Sequence, residues 1–546
     1  MAEFLFEIGL EEVPARMIAG AQAELAKRVV AMLERGYLLD GASTLKSYST
    51  PRRLAVYVTG VLAKAPGVQE GPIGPSVKVA YKDGVPTPAA EAFARKCGVS
   101  VSELGRIELP KGVYLMATIF KEGRKAAEVI AEEMPKELAG IYWAKNMYWR
   151  PGKPERFVRP VKWMVALLGE EVVPVEFGGK TAGRVTRGHR VLANDAQIAV
   201  GFPDEYEKRL LDAHVMADVE ARRQKIRKAL DRVTRAAGEG LRWREDHALV
   251  DTVTHLTEWP TVIAGGFEPE YLELPEEVLV TVMRDHQKYF AVERQGTGSR
   301  EQGSGGSEKS GLAPYFLAVL NTETDARGEA VIRHGNERVL RARFNDARFF
   351  WEFDQRMPLK ERATLLEKVT FQKDLGSYAA KIERVWAAAE RLAVLLGERG
   401  LKLDGAGLGE AARLAKTDLT TDLVKEFTEL QGEVGGLYAR AQGLGETVAV
   451  AIYDHYRPTS MEDRVPRRAE GAVLAMADKV DTIVGMFGLG MEPTGSKDPF
   501  ALRRAANGIV KILAEAEPAL PLTLGDVVDA ATPSEEARVK VEVFFA

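Results

Sequence analysis

EFLFEIGLEEVPARMIAGAQAELAKRVVAMLERGYL, residues 3–38, changes its hydrophobic period part-way along, and that change sets the fold class. Phe4, Phe6 and Ile8 alternate with their neighbours, the period-two rhythm of a short strand over residues 3–9 that stops at Gly9. From Pro14 onward Met17, Leu25, Val29 and Met32 recur at helical spacing, which predicts a proline-opened helix over about 15–38. A strand followed by an amphipathic helix begins a mixed α/β unit. The pattern continues with a strand at 54–61 and Gly/Pro-rich breaks at 71–75 and 84–88. A helix–strand–helix passage then runs to about Ile141, and strand-compatible runs at 157–168 and 172–177 flank a Gly169–Glu170 turn.

Residues 203–237 read as one long helix. Its second half, ARRQKIRKALDRVTR, sets Arg222, Arg223, Lys225, Arg227, Lys228, Arg232 and Arg235 against Asp231 alone. That is either a solvated face or a stripe facing phosphates. Strands at 288–293 and 314–321 frame a Gly/Ser-rich stretch, about 294–313, expected to be a mobile hairpin loop. Past Arg333 the rhythm is helical, including 361–373, as far as about Ala514, and the closing SEEARVKVEVFFA begins a further helix. The expectation is a multidomain α+β protein: a mixed α/β part over 1–200, the basic helix and hairpin over 201–330, a helical domain over 331–520, and a last segment, 521–546.

The 546 residues are 46% hydrophobic and 28% charged, a globular composition with material for several cores. Net charge is −4, so RNA binding would need local basic patches rather than a global field. Cys97 is the single cysteine, which excludes an intramolecular disulfide and fits a reducing, cytoplasmic setting. The N-terminus lacks the basic, apolar plan of a signal peptide, and no apolar run is long enough to cross a bilayer.

GxGxxG, Walker A, GxSxG and HExxH are all absent, and the seven histidines are too dispersed for metal-ligand spacing. Basic-aromatic blocks stand out instead. KNMYWRPGKPERFVRPVKW, 145–163, mixes Arg150, Arg156, Arg159 and Lys162 with Tyr148, Trp149 and Trp163. Such a block suits unpaired RNA, through phosphate pairing and base stacking, or forms a cation–π-laced surface hairpin. RGHR at 187–190 supplies Arg187, His189 and Arg190. HGNERVLRARFNDARFFWEFD, 334–354, places Arg338, Arg341 and Arg348 on one helix stripe, with Glu337 and Asp346 as available partners. GSKDPFALRRAA, 495–506, is expected to open a helix at Asp498 and to present Arg503 and Arg504.

ARLAKTDLTTDLVKEF, 412–427, and LAMADKVDTIVGMF, 474–487, have the rhythm of a histidine-aspartate (HD) phosphohydrolase domain. Thr417 stands where a metal-binding His is expected, beside Asp418, with Asp478 and Asp481 as the closing acids. Carboxylates without imidazole hold a transition metal poorly, so no metal is expected and a degenerate, structural domain is favoured. The alternative is a metal-dependent phosphohydrolase acting on nucleotides or RNA ends through those three aspartates. A bare scaffold is a third reading.

Further blocks occur in a fixed order: EIGLEEVP at 7–14, TPRRLAV at 50–56, RFVRPVKWMVALLG at 156–169, EWP at 258–260, MRDHQKYF at 283–290, FQKDLG at 371–376, KTDLTTDLVKEFTELQGEVGGLYA at 416–439, DHYRP at 454–458 and ADKVDTIVGMFGLG at 477–490. With those above, they make the chain resemble the β subunit of bacterial glycyl-tRNA synthetase along essentially its whole length. The resemblance implies an α2β2 ligase. A separate α subunit would form glycyl-adenylate from glycine, ATP and magnesium. This chain would bind no cofactor, would hold tRNA(Gly), and would present its 3′ end to the α subunit. It implies an α/β half similar to the body and tail domains of CCA-adding enzymes, then a helical domain similar to HD proteins. It also implies an anticodon-binding domain beyond about Ala546, with 521–546 starting the linker to it. Arg52 and Arg53 of TPRRLAV join the cations above as tRNA-binding candidates.

Overall fold

Strand Ala2–Leu10 is the middle of a five-stranded antiparallel sheet in the order Glu171–Val172, Val161–Leu168, Ala2–Leu10, Arg53–Val61, Leu45–Thr50. The computed structural model describes residues 2–82, 84–295, 311–495, 497–532 and 534–545, so most of the expected Gly/Ser-rich loop, 296–310, lies outside the described residues. Alternation sorts the central strand's side chains. Phe4, Phe6 and Ile8 pack with Leu25, Val29, Ile130 and Met134 of helices Ala15–Arg35 and Ala126–Ala139. Leu5, with Ala55, Val165 and Leu167, meets Tyr206, Leu210 and Val215 on the other face. Each fully buried Phe or Leu is worth about 1.5–3 kcal/mol, which fixes the strand's register. Gly9 does not end the strand. A Cβ there would lie 2.0 Å from the Trp163 ring, so the residue lets the indole lie against the strand backbone.

The chain divides into two compact units: residues 1–230, 246–262 and 319–325, and residues 231–245, 263–318 and 326–546. The first holds the five-stranded sheet and a small insertion between Arg53–Val61 and Ala126–Ala139, whose own core is Ala80, Ala90 and Leu115. The expected single helix over 203–237 is instead a 3-10 turn with helix Tyr206–Asp212, then helix Val219–Ala237. His214 takes φ +59° at the break, and Asp218 restarts the helix by accepting the Ala221 N–H at 2.9 Å. Both pieces keep the apolar period, which is why the pattern runs through the joint.

The second unit contains most of a sheet in the order Leu241–Trp243, Tyr289–Arg294, Leu312–Leu320, Thr261–Gly266, and then the helices. Ala326–Asp354 starts the helical run seven residues before Arg333. Ala469–Gly488 is buried on nearly every side and packs against Tyr378–Glu398, Leu502–Glu515 and Glu535–Phe545, as an all-round apolar helix must. Two departures from the helical expectation occur here. Residues 363–368 are a 3-10 turn followed by paired strands Thr370–Gln372 and Gly376–Ser377. The helix expected at Asp498 opens at Leu502, because the Asp498 carboxylate caps it from outside, accepting from Leu502 N at 2.8 Å and Arg503 N at 2.9 Å. Among the described residues no helix is long and apolar enough to cross a membrane.

Candidate nucleic-acid interface

Three of the sequence blocks, TPRR, RGHR and EWP, meet in one buried network of the first unit. The turn joining Leu45–Thr50 to Arg53–Val61 folds Arg52 and Arg53 inward, where they are 3% and 1% exposed. Glu258 accepts from Arg52 Nη2 at 3.0 Å, Arg53 Nη2 at 3.1 Å and Thr50 Oγ1 at 2.7 Å. Burial alone would raise the Glu258 pKa, yet the two guanidinium groups hold it down to about 2. Beside them Glu7, on the sheet face opposite Phe6, accepts from Thr186 Oγ1 at 2.7 Å and from Trp163 and Tyr206. Burial and the Glu7 charge push the Tyr206 phenol well above its usual range, so it stays a neutral donor.

This network shapes the loop at 187–195. Arg52 donates to Gly188 O at 2.8 Å and pairs with Asp195 at 2.9 Å, while Arg53 donates to Arg187 O at 2.9 Å. His189 Nδ1 accepts from Val191 N at 3.2 Å and Leu192 N at 3.0 Å. Two backbone donors on Nδ1 place the ring proton on Nε2, which donates to Asn321 Oδ1 at 3.2 Å. That same oxygen accepts from Glu258 N at 2.7 Å and Trp259 N at 3.0 Å. Arg52, Arg53 and His189, expected as RNA contacts, are thus enclosed and engaged within the fold. Their role here is to set the shape of the loop that carries Arg187 and Arg190. Their inward turn was not readable locally, because Glu258 lies about two hundred residues away in sequence.

On the outer side, candidates from separate blocks come together at the Glu11–Glu12 turn. Lys162 pairs with Glu11 at 2.7 Å, and Arg190 reaches Glu11 at 3.3 Å and Glu12 at 3.4 Å. Arg159 Nε donates to Glu12 O at 2.8 Å, and Arg187 pairs with Asp195 at 3.0 Å. The hydrogen bond from Lys162, more than any other contact, holds the Glu11 carboxyl below its usual range. Solvent-exposed pairs of this kind are worth about 0–1 kcal/mol each, so phosphate oxygens can replace the carboxylates at little cost. Arg150 and Arg156 lie a few residues earlier, the first paired with Glu155 at 3.3 Å and the second with its guanidinium 5.1 Å over the Tyr148 ring.

The basic helix divides. Arg222 is fully buried and donates to Thr254 O at 2.8 Å, to Ser49 O at 2.9 Å and to Met216 O, so it cannot belong to a phosphate-facing stripe. Arg223 pairs with Asp251 and Glu220, and Lys225 lies 3.8 Å over the Trp259 ring. In the second unit Arg338, Arg503 and Arg504 are exposed. Arg341 pairs with Glu268 at 2.7 Å and Arg348 with Glu270 at 3.2 Å, rather than with Glu337 or Asp346. Glu337 instead accepts the Gly266 N–H at 3.0 Å.

The four positions expected to mark a degenerate HD domain all make contacts within the protein. Thr417 Oγ1 donates to Leu414 O at 2.7 Å, and the buried Asp418 accepts from Gly432 N. The Lys416 ammonium lies 2.7 Å from Asp478 Oδ2, 2.9 Å from His455 Nε2 and 3.7 Å over the Tyr456 ring. Lys381 pairs with Asp478 and Asp481 at 3.0 Å each, and Arg384 with Asp481 at 2.6 Å. Burial and Lys416 push His455 well below its usual pKa, so its Nε2 accepts from the ammonium. Among the described residues no group of three or more His, Cys, Asp or Glu is placed to hold a metal. Lys381, Lys416 and His455 escaped the sequence reading. Lys416 stands next to Thr417 in the same block, and that lysine inside an apolar run was the available signal.

The family model described as glycyl-tRNA synthetase beta subunit matches residues 4–546. The glycine--tRNA ligase beta subunit of Acidobacterium capsulatum is 59% identical over 538 residues, covering 98% of this chain and 74% of its own. Those of Anaeromyxobacter dehalogenans strain 2CP-C and Myxococcus xanthus are 43% and 42% identical over 514 residues, covering 94% of this chain and 70% and 69% of theirs.

Proposed function

The chain belongs to the glycyl-tRNA synthetase beta subunit family, part of an aminoacyl-tRNA synthetase, and from that premise we propose that it is the noncatalytic, tRNA-holding subunit of the ligase. A separate α subunit, in an α2β2 assembly in the cytoplasm, forms glycyl-adenylate from glycine and ATP with magnesium. This chain binds tRNA(Gly) and presents its 3′ end for transfer of the glycyl group. One observation carries the reading: Arg159 and Lys162 from one block gather with Arg190 from another at the Glu11–Glu12 turn, and a buried ionic network holds the loop that carries Arg190. A preorganised set of exchangeable cations is what phosphate positioning requires, since such contacts fix register without reading sequence.

The helical unit is proposed to be an HD-like domain in which Lys416 and Lys381 supply the positive charge that a metal would bring. The α/β part is proposed to correspond to body- and tail-like tRNA-binding subdomains. The deciding experiment measures glycine-dependent ATP–pyrophosphate exchange and tRNA binding separately. The chain alone should bind tRNA and show no exchange, and exchange should need the α subunit. Exchange by the purified chain alone would refute the noncatalytic assignment.

A further inference from the structure

The hairpin formed by Met147–Tyr148 and Arg156–Phe157 exposes aromatic surface in an unusual density. Tyr142 is 77% exposed, Met147 50%, Tyr148 62% and Trp149 37%, four large side chains within eight residues. Isolated exposed apolar residues need no explanation, whereas four so close along the chain invite one. The group is also rigidly rooted. Phe157 is buried, with T-shaped contacts to Trp143 at 5.3 Å and to Phe177 at 5.2 Å, and Trp149 Nε1 donates to Phe157 O at 2.9 Å. The outward rings are therefore held on a fixed aromatic base.

Charge selects the occupant. Residues 142–157 carry Lys145, Arg150, Lys153 and Arg156 against Glu155 alone, in a chain whose net charge is −4. Lys145, Lys153 and Arg156 are exposed, and the Arg156 guanidinium covers one face of the Tyr148 ring, so a planar group would stack on the opposite face of that exposed ring. Protein interfaces enrich aromatics, Met and Arg but deplete Lys, so Lys145 and Lys153 among these rings favour a polyanion that also offers flat π surfaces. We propose that this hairpin is a stacking platform for unpaired RNA nucleotides, with Tyr148 and Tyr142 taking bases and Lys145, Lys153 and Arg156 taking the adjoining phosphates. The proposal rests on the tRNA-holding role above and gives this surface a distinct part of it: single-stranded rather than duplex RNA.

The test uses the full chain with two probes, a single-stranded decaribonucleotide and a blunt RNA duplex. Combined Tyr142→Ala and Tyr148→Ala should weaken single-strand binding about thirtyfold or more, the order expected for losing two base-stacking contacts, with the salt slope unchanged and duplex binding intact. Tyr148→Phe should retain binding, because the ring face remains. Arg156→Gln should weaken the single strand and flatten its salt slope. Equal loss on both probes, no loss on either, or a wild-type chain that ignores the single strand overturns the proposal, the last outcome assigning the patch to a protein partner. Arg159→Gln with Arg190→Gln, assayed on whole tRNA, reports on the tRNA-holding role separately. If tRNA affinity survives that pair while the tyrosine variants behave as stated, the cation cluster fails and the platform stands.

Discussion

Lys416 and Asp478 form a buried ion pair of 2.7 Å inside the helical unit, with neutral His455 accepting from the same ammonium. Taking either charge away leaves the other enclosed. Lys416→Met should therefore destabilise the chain by about 3–5 kcal/mol, at the lower end because Lys381 still faces Asp478. Urea unfolding measures this, and a variant as stable as its parent would show the pair to be energetically idle.

Asp418 gives a pH-dependent counterpart. Burial pushes its carboxyl up to about 6 despite the hydrogen bond from Gly432 and the nearby Lys416 charge. A raised carboxyl pKa means that the folded state holds its proton more tightly than the unfolded chain. The stabilisation is full below about pH 4 and is lost as pH rises through about 6. Asp418→Asn keeps an oxygen for Gly432 N and removes the penalty. Its stability relative to wild type should improve by at most about 3 kcal/mol between pH 4 and pH 7.5. A gap that stays constant across that range contradicts the assignment.

Glu258 has the opposite sign. Its pKa, held down to about 2 by Arg53 and Arg52, makes it a source of stability above about pH 4.5 that disappears as pH falls through 2. Glu258→Gln should cost about 3–5 kcal/mol near pH 7, by leaving two buried guanidinium groups short of a charge. Acid titration of both proteins should show the difference closing toward pH 2, and an unchanging difference would assign the loss to packing alone.

At the surface, Glu11 and Glu12 pair with Lys162 and Arg190, the cations that the proposed tRNA-holding role would offer to phosphate. Glu11→Gln with Glu12→Gln should tighten tRNA binding several-fold and steepen its salt dependence by about one to two units of slope. Filter binding across a potassium chloride series reads both quantities. Weaker binding by the double variant would mean that the carboxylates orient the cations rather than oppose the RNA.

The fold was legible where a side-chain period maps onto a face. Phe4, Phe6 and Ile8 announce a strand because they all enter one core. Glu7 is hidden for the same reason: an acid in a strand reads as solvent-facing, and Trp163, Thr186, Tyr206 and the Arg53 guanidinium, all distant in sequence, make its burial tolerable. The arginines divide likewise. Arg190 reads as an outward cation and is one, while Arg52, identical in local sequence terms, is turned in by an acid two hundred residues away. The break at His214 left no mark on hydrophobicity, being a matter of backbone conformation. Block order in the chain indicated which segments matter, but their convergence is a property of long-range contacts alone.

Asn321 hangs two remote segments on one oxygen atom, which receives His189 Nε2–H and the backbone N–H groups of Glu258 and Trp259. A carboxamide oxygen so crowded leaves little room for independent drift. Replacing Asn321 strands an imidazole and two amides together, and replacing His189 releases the loop at Val191 and Leu192. Across descendants of this chain, positions 189 and 321 should therefore be inherited as a pair, and a lineage that abandons one should have rebuilt the other.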